Sequence, residues 1–333
     1  LSVLTRRNQL GINIKAINMD KLKAINWPSL VAGKHSWIDD HFKVHSVLDD
    51  KKTVCRFFSL DFSGTQQEIL SLTESLSESI EHYVFDEKQL ASFHKEGKVP
   101  FQKAMKFFGK TNPDMDGKYG ELLLYLLTEK FLQTPLVSHK LSLITNTNDQ
   151  VKGGDGIFFG DYKGELAILI GESKIHQGAA GAMEDALESL DRFYDNYSSG
   201  QLGHEMFIAR SNISENFSSL DDAESLYQAF TPGTKQYKGC VKAHPVLLVF
   251  ESSKISTIEE KAKNKDEAEQ MFSDWLTGRS KEIQKLLGDK LNKYSELKKV
   301  YIDVFLIPLT NVSKFKHALY REIHGIDYVS NEK

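Results

Sequence analysis

The sequence predicts an α/β protein with a mixed central sheet flanked by helices and a small α/β region ahead of it. Three observations carry that expectation. The dense apolar runs "DGIFFGD", "ELAILIGESKI", "HPVLLVFE" and "VYIDVFLIPL" have the length and composition of buried strands. Between them lie stretches with apolar residues at three- and four-residue steps, as in "GAMEDALESLDRFYDNY", where Met183, Leu187, Leu190 and Tyr194 recur. Finally, 333 residues, 40% hydrophobic and 26% charged, supply material for one large core or two modest ones.

In chain order, "HFKVHSVLDDKKTVCRFFSLDFS" gives two short strands around the turn-prone "LDDKK", and a polar-faced helix follows from about Thr65 to Lys95. "VPFQKAMKFFGKTNPDMDGK" gives a short helix and then a connection broken by Asn112, Pro113 and Gly117. That connection sets an expected boundary between an N-terminal α/β region, 1–115, offered as a partner surface, and a core with helical C-terminal elements, 116–333. From Tyr119, "GELLLYLLTEKFL" is apolar nearly all round, as a helix buried on most sides must be. "LVSHKLSLIT", "DGIFFGD" and "ELAILIGESKI" then form an antiparallel meander of three strands. The rest alternates helix, strand, helix, strand, with helical stretches around "EAEQMFSDWL" and "KEIQKLLGDKLNKYSELKK".

Composition excludes several classes of function. No run approaches the 18 or so apolar residues of a membrane span, and the first thirty residues carry scattered charges where a signal peptide has an apolar core, so a cytoplasmic protein is expected. Cys55 and Cys240 are too few and too far apart for a disulfide framework. The net charge of -4 argues against coating nucleic acid by bulk attraction, so any hold on DNA must be local or shared with a partner. "AMKFFGKT" fits a loose phosphate-loop pattern, but bulky residues fill it and Asn112-Pro113 breaks the helix it needs. "NPDMDG" starts like a calcium loop, yet Leu123 stands where a bidentate Glu is required. No cysteine–histidine spacing suggests zinc. The chain begins with Leu1 and its first methionine is Met19, so residue 1 need not be the native start.

One constellation stands out. Side chains alternate along a strand, so Glu172, Lys174 and His176 share a face while Ser173 points to the other. Buried charges of this kind are tolerated when paired or bound to a metal. A tight turn at "GDYKGE" would fold the two strands antiparallel and bring Asp155 close to Glu172. Two such carboxylates repel unless a divalent cation lies between them, which makes a hard-oxygen Mg²⁺ site the natural expectation, with Lys174 beside it to hold a water. Glu121 heads the buried helix and is either a helix-start acid or an additional ligand. His139, Lys140 and His176 are within reach of a phosphate or are ordinary polar residues of strand ends and surface.

An acid, then a strand ending in Glu-x-Lys, in the order helix, strands, helix, strand, resembles the PD-(D/E)xK nuclease superfamily over roughly residues 119–250. Gly154 stands where many members have the proline before the first acid. "GELLLYLL", "GGDGIFF", "GESKIH" and "VFLIPL" look similar, more specifically, to the nuclease subunit of the Hachiman antiphage defence system. The resemblance implies a restriction-endonuclease-like core and a metal-dependent deoxyribonuclease. Asp155, Glu172 and the Ser173 carbonyl would hold Mg²⁺, or Mn²⁺ as a substitute, with Glu121 on a water or a second ion and Lys174 at the attacking water. It also implies a superfamily 2 helicase as partner and DNA as substrate. The competing expectation is a catalytically weak subunit whose task is to bind and regulate the helicase.

Overall fold

The strands form where β-branched and aromatic residues concentrate, and the longest of them alternate between two cores. In the computed structural model, which describes residues 19–31, 35–138, 154–194, 200–217 and 223–329, the strands are β1 (Phe42–Asp50), β2 (Thr53–Leu60), β3 (Phe62–Ser63), β4 (Gln66–Gln67), β5 (Gly156–Tyr162), β6 (Glu165–His176), β7 (Val241–Glu251) and β8 (Tyr301–Leu309). Among the described residues, six of them make one sheet in the order β1-β2-β8-β7-β6-β5, and β3 with β4 makes a separate hairpin. The inner pairs β2–β8, β8–β7 and β7–β6 are parallel, while β1–β2 and β5–β6 at the two edges are antiparallel. This is the expected mixed α/β sheet.

Each face of the sheet carries its own core. Leu166, Ile168 and Ile170 of β6 share one core with Met183, Leu187 and Leu190 of helix Ala179–Asp191, which lies on β6, and with Phe272, Leu276 and Leu287 of helix Lys265–Leu291, which lies on β1 and β2. On the opposite face, Ala167 and Leu169 share a core with helix Lys118–Leu132, which lies on β6, with Phe315 and Leu319 of helix Val312–His324, which lies on β7, and with Leu72 and Leu76 of helix Ile69–Glu78. Helix Lys118–Leu132 is buried on most sides, as its sequence predicts, because Tyr83, Phe107 and Phe108 cover the flank away from the sheet.

Several details differ from the sequence reading, each for a physical reason. The single helix expected from Thr65 to Lys95 is three helices, Ile69–Glu78, Ile80–Val84 and Glu87–Lys95. Phe85 is extended, and Asp86 starts a new helix through a capping box with Gln89. Of the two stretches expected between β7 and β8, the end of the second is a loop closed by the short turn Leu297–Lys299, while the first and the second as far as Leu291 fuse into the 27-residue helix Lys265–Leu291. Its apolar residues keep one face across Gly278, and a single glycine costs a helix interior only about 1 kcal/mol. Of the expected meander, β5 and β6 pair antiparallel and Leu136 bridges Phe158, but residues 139–145, with His139 and Lys140, lie outside the described residues. The strands β1 and β2, expected in a separate N-terminal unit, extend the main sheet through the β2–β8 pairing, so the sheet runs across the expected division at residue 115. Helices Gly200–Ser211, Ala223–Ala229 and Lys235–Gly239, between helix Ala179–Asp191 and β7, have no counterpart in the sequence reading. Among the described residues no helix is long and apolar enough to cross a membrane.

Candidate active site

The geometry of the site starts from the turn of the β5–β6 hairpin. Lys163 and Gly164 both take positive φ, 55° and 82°, and Gly164 N donates to Asp161 Oδ1 at 3.0 Å. Two such residues make the tight turn whose twist matches antiparallel strands, and it fixes the register down to Gly156 opposite Gly171. There the pairing changes character. Asp155 N donates to Gly171 O at 2.9 Å, and its carboxylate turns onto the next part of β6. Asp155 Oδ2 accepts from both Ser173 N and Ser173 Oγ, each at 2.6 Å.

Alternation of β6 then separates two groups of side chains. Ser173 faces helix Lys118–Leu132, which approaches so closely at Gly120 that a Cβ there would lie 2.8 Å from Ser173 Oγ. Only glycine permits this contact, and it brings the following residue, Glu121, to the same end of the sheet. Glu121 Oε2 accepts from the hydroxyl of the fully buried Tyr83 at 2.8 Å. The Tyr83 hydroxyl is held far above its ordinary range, first by burial and then by the negative charges of Glu121, Asp155 and Asp116.

On the other face, Glu172 is 5% exposed and Lys174 Nζ donates to its Oε1 at 2.5 Å. The expected sharing of a face by these two residues is thus realised as a direct ion pair. Burial pushes the Glu172 carboxyl up, and Lys174, a hydrogen bond from Ser189 and the charge of Arg192 offset part of that rise. Arg192 Nη2 donates to Ser189 Oγ at 2.9 Å, which leaves the serine proton for Glu172. His176, further out on the same face, lies 3.7 Å from Asp185 and packs against Gly181.

The structure therefore pairs Glu172 with Lys174 and Asp155 with Ser173, and it places Glu121 against Tyr83. The contacts lie on two faces of β6, Ser173 with the Asp155 carboxylate on one and Glu172 with Lys174 on the other, so the expected approach of Asp155 to Glu172 is replaced by the bonds from Ser173 to Asp155. Among the described residues, no three His, Cys, Asp or Glu side chains gather into a ready metal-binding group. Sequence reasoning missed Tyr83, Ser189, Arg192 and the buried His244 behind the strand. None of them carries a local signal, because each acquires its role from a distant part of the chain.

The fold and site define a mixed-sheet α/β protein with an acid and a lysine paired on the strand end of a hairpin. The family model of HamA matches residues 34–323, a span that includes all of these side chains, and the chain belongs to the HamA family, as a HamA-type subunit of the Hachiman defence system. No curated protein matches it.

Proposed function

We propose that this HamA-type subunit is a metal-dependent deoxyribonuclease of the PD-(D/E)xK kind, the effector of a defence complex controlled by a partner helicase. The observation that carries the reading is the Glu172–Lys174 pair, a buried acid and its lysine two residues apart on one strand face, with Asp155 docked on the residue between them. The donor chemistry fits a hard cation, since Asp155, Glu172 and Glu121 offer carboxylate oxygens. A ready three-ligand cage is not needed, because Mg²⁺ keeps several waters and is commonly held by one or two carboxylates together with substrate phosphates.

In this reading Asp155 and Glu172, with the Ser173 carbonyl, would hold Mg²⁺ or Mn²⁺, and Glu121 would bind a coordinated water or a second ion. When bound, the ion supplies Lewis-acid polarisation and a lowered pKa for its water. Lys174, which pairs with Glu172, would orient the attacking water or stabilise charge on the phosphate. Ser189 would keep Glu172 aimed into the site, and Tyr83 would do the same for Glu121. With a net charge of -4 the chain holds DNA weakly by itself, which suits control by a helicase that delivers or withholds the substrate.

The rival reading, a catalytically weak subunit that binds and regulates the helicase, draws on the fact that each acid already has an internal donor. One experiment separates the two. Purified chain, alone and with its helicase, is incubated with linear and circular DNA in Mg²⁺, in Mn²⁺ and in excess chelator. Cleavage that requires the metal supports the nuclease; no cleavage under any condition, with a complex formed, leaves the regulatory subunit.

A further inference from the structure

β7 breaks a rule of central strands. It lies between β6 and β8, yet it contains Pro245, which has no N–H to give to a ladder and is ordinarily confined to sheet edges and bulges. The β6–β7 pairing runs through Leu169 opposite Ala243 and resumes at Glu172 opposite Val246, skipping the two positions between. In that register Pro245 stands opposite Gly171, and in a parallel ladder the residue there would donate to the carbonyl of Ile170. That carbonyl is not left alone. His244 Nδ1 lies 2.8 Å from Ile170 O.

The rest of the ring is equally committed. A carbonyl only accepts, so Nδ1 carries the proton and Nε2 is the acceptor, facing the Tyr194 hydroxyl at 2.7 Å. Phe193 stacks on the imidazole at 6.4 Å with 10° between the planes, and His244 is fully buried. Tyr194 and Phe193 follow helix Ala179–Asp191 directly, in the same turn as Arg192 and close to Ser189. One helix end thus grips β6 twice: at the Glu172 carboxylate through Ser189 and Arg192, and at the Ile170 carbonyl through Tyr194 and His244. The neighbouring Gly171 carbonyl is taken from the other side by Asp155 N.

We infer that His244 is a positioning residue: its side chain stands in for the missing amide of Pro245 and fixes the strand end that carries Glu172 and, through Ser173, holds Asp155. The inference rests on the nuclease reading of Glu172. Replacing a backbone bond by a side-chain bond ties the aim of Glu172 to the helix end that also touches its carboxylate. A plain ladder bond would hold the strand without that tie.

The test uses the full chain and restores the lost donor by a different route. His244→Leu removes the donor to Ile170, and His244→Leu with Pro245→Ala returns one as a backbone N–H. Amide exchange across 166–176, read by mass spectrometry, should quicken about tenfold in the single variant, the equivalent of one hydrogen bond, and return close to the wild-type rate in the double variant. The metal concentration for half-maximal cleavage should rise about tenfold or more in the single variant and fall back in the double. His244→Asn, which keeps a donor near the Nδ1 position, should stay close to wild type in both readouts. Exchange unchanged by His244→Leu, or a double variant no better than the single, overturns the inference. If His244→Leu does not fold, Tyr194→Phe carries the test: faster exchange with weakened metal dependence supports the inference, and no change in either overturns it. A wild type that cleaves no DNA defeats the nuclease reading instead, and the exchange measurements then decide the role of His244 by themselves.

Discussion

Two carboxylate–cation pairs sit at opposite ends of the β5–β6 hairpin, and they are built differently. At the turn end, Asp303 of β8 receives a two-pronged contact from Arg56 of β2, at 2.7 and 2.9 Å, and a third bond from the Tyr162 hydroxyl at 3.0 Å. At the open end, Glu172 receives a single lysine at 2.5 Å and the Ser189 hydroxyl. The guanidinium of Arg56 is a rigid fork with 20% of its side chain exposed, whereas Lys174, on a flexible stem, is 29% exposed. A saturated acid held by a fork has one stable arrangement. An acid held by a flexible, partly solvated lysine can trade that partner for another. In the proposed reading the same pair of charges serves structure at one end and chemistry at the other.

The sharpest way to break the comparison is at the saturated end. Asp303→Ala leaves Arg56 without its partner inside the protein and should cost about 3–5 kcal/mol of stability in urea unfolding. A loss under about 1 kcal/mol, the scale of a surface pair, would remove the contrast.

Next in size is the pH dependence that His244 gives the open end. Burial pushes the His244 ring down from its ordinary 6.5 to about 4, so it is neutral in the folded chain near pH 7. The unfolded chain takes up that proton first as pH falls. Stability is therefore whole above pH 6.5 and drains away as pH drops towards 4, by roughly 3 kcal/mol in all. His244→Asn should lose that share of the slope when unfolding free energies at pH 7.5 and pH 4.5 are compared with wild type. Parallel profiles for the two proteins would show that the ring does not titrate this way.

The smallest expected effect is a gain. The folded Glu172 carboxyl is raised above its ordinary 4.5, chiefly by burial, so its ionisation opposes folding; the protonated form favours the fold at low pH, and that advantage is lost as pH rises through the folded value. Glu172→Gln should then be as stable as wild type at pH 7, or up to about 1 kcal/mol more stable, by thermal melting. Destabilisation on the scale of Asp303→Ala would make Glu172 a second structural acid.

What could be read from the sequence follows a physical division. Local composition marks β5 to β8, and strict alternation along β6 placed Glu172 and Lys174 on one face and Ser173 on the other. Contacts between distant segments left no such mark. Nothing in "RFFSL" announces that Arg56 will meet Asp303 of a strand that pairs with β2 only in the folded chain. "HPVLLVFE" passes as an ordinary apolar strand, although the dipeptide His244-Pro245 is the unusual feature of its backbone. The break in the helix at Asp86 was written in the sequence as a capping residue with Gln89 three positions on, inside a stretch that otherwise keeps its helical pattern.

In the proposed reading the Glu172–Lys174 end of the hairpin does chemistry that the Asp303–Arg56 end does not. The most direct measurement is the rate of Mg²⁺-dependent DNA cleavage by wild type and by Lys174→Ala, at matched folded concentration. Removing a group that stabilises transition-state charge should slow cleavage on the order of 100-fold or more, with thermal melting nearly unchanged. Equal rates for the two proteins, or a wild type whose cleavage ignores the metal, would contradict the account.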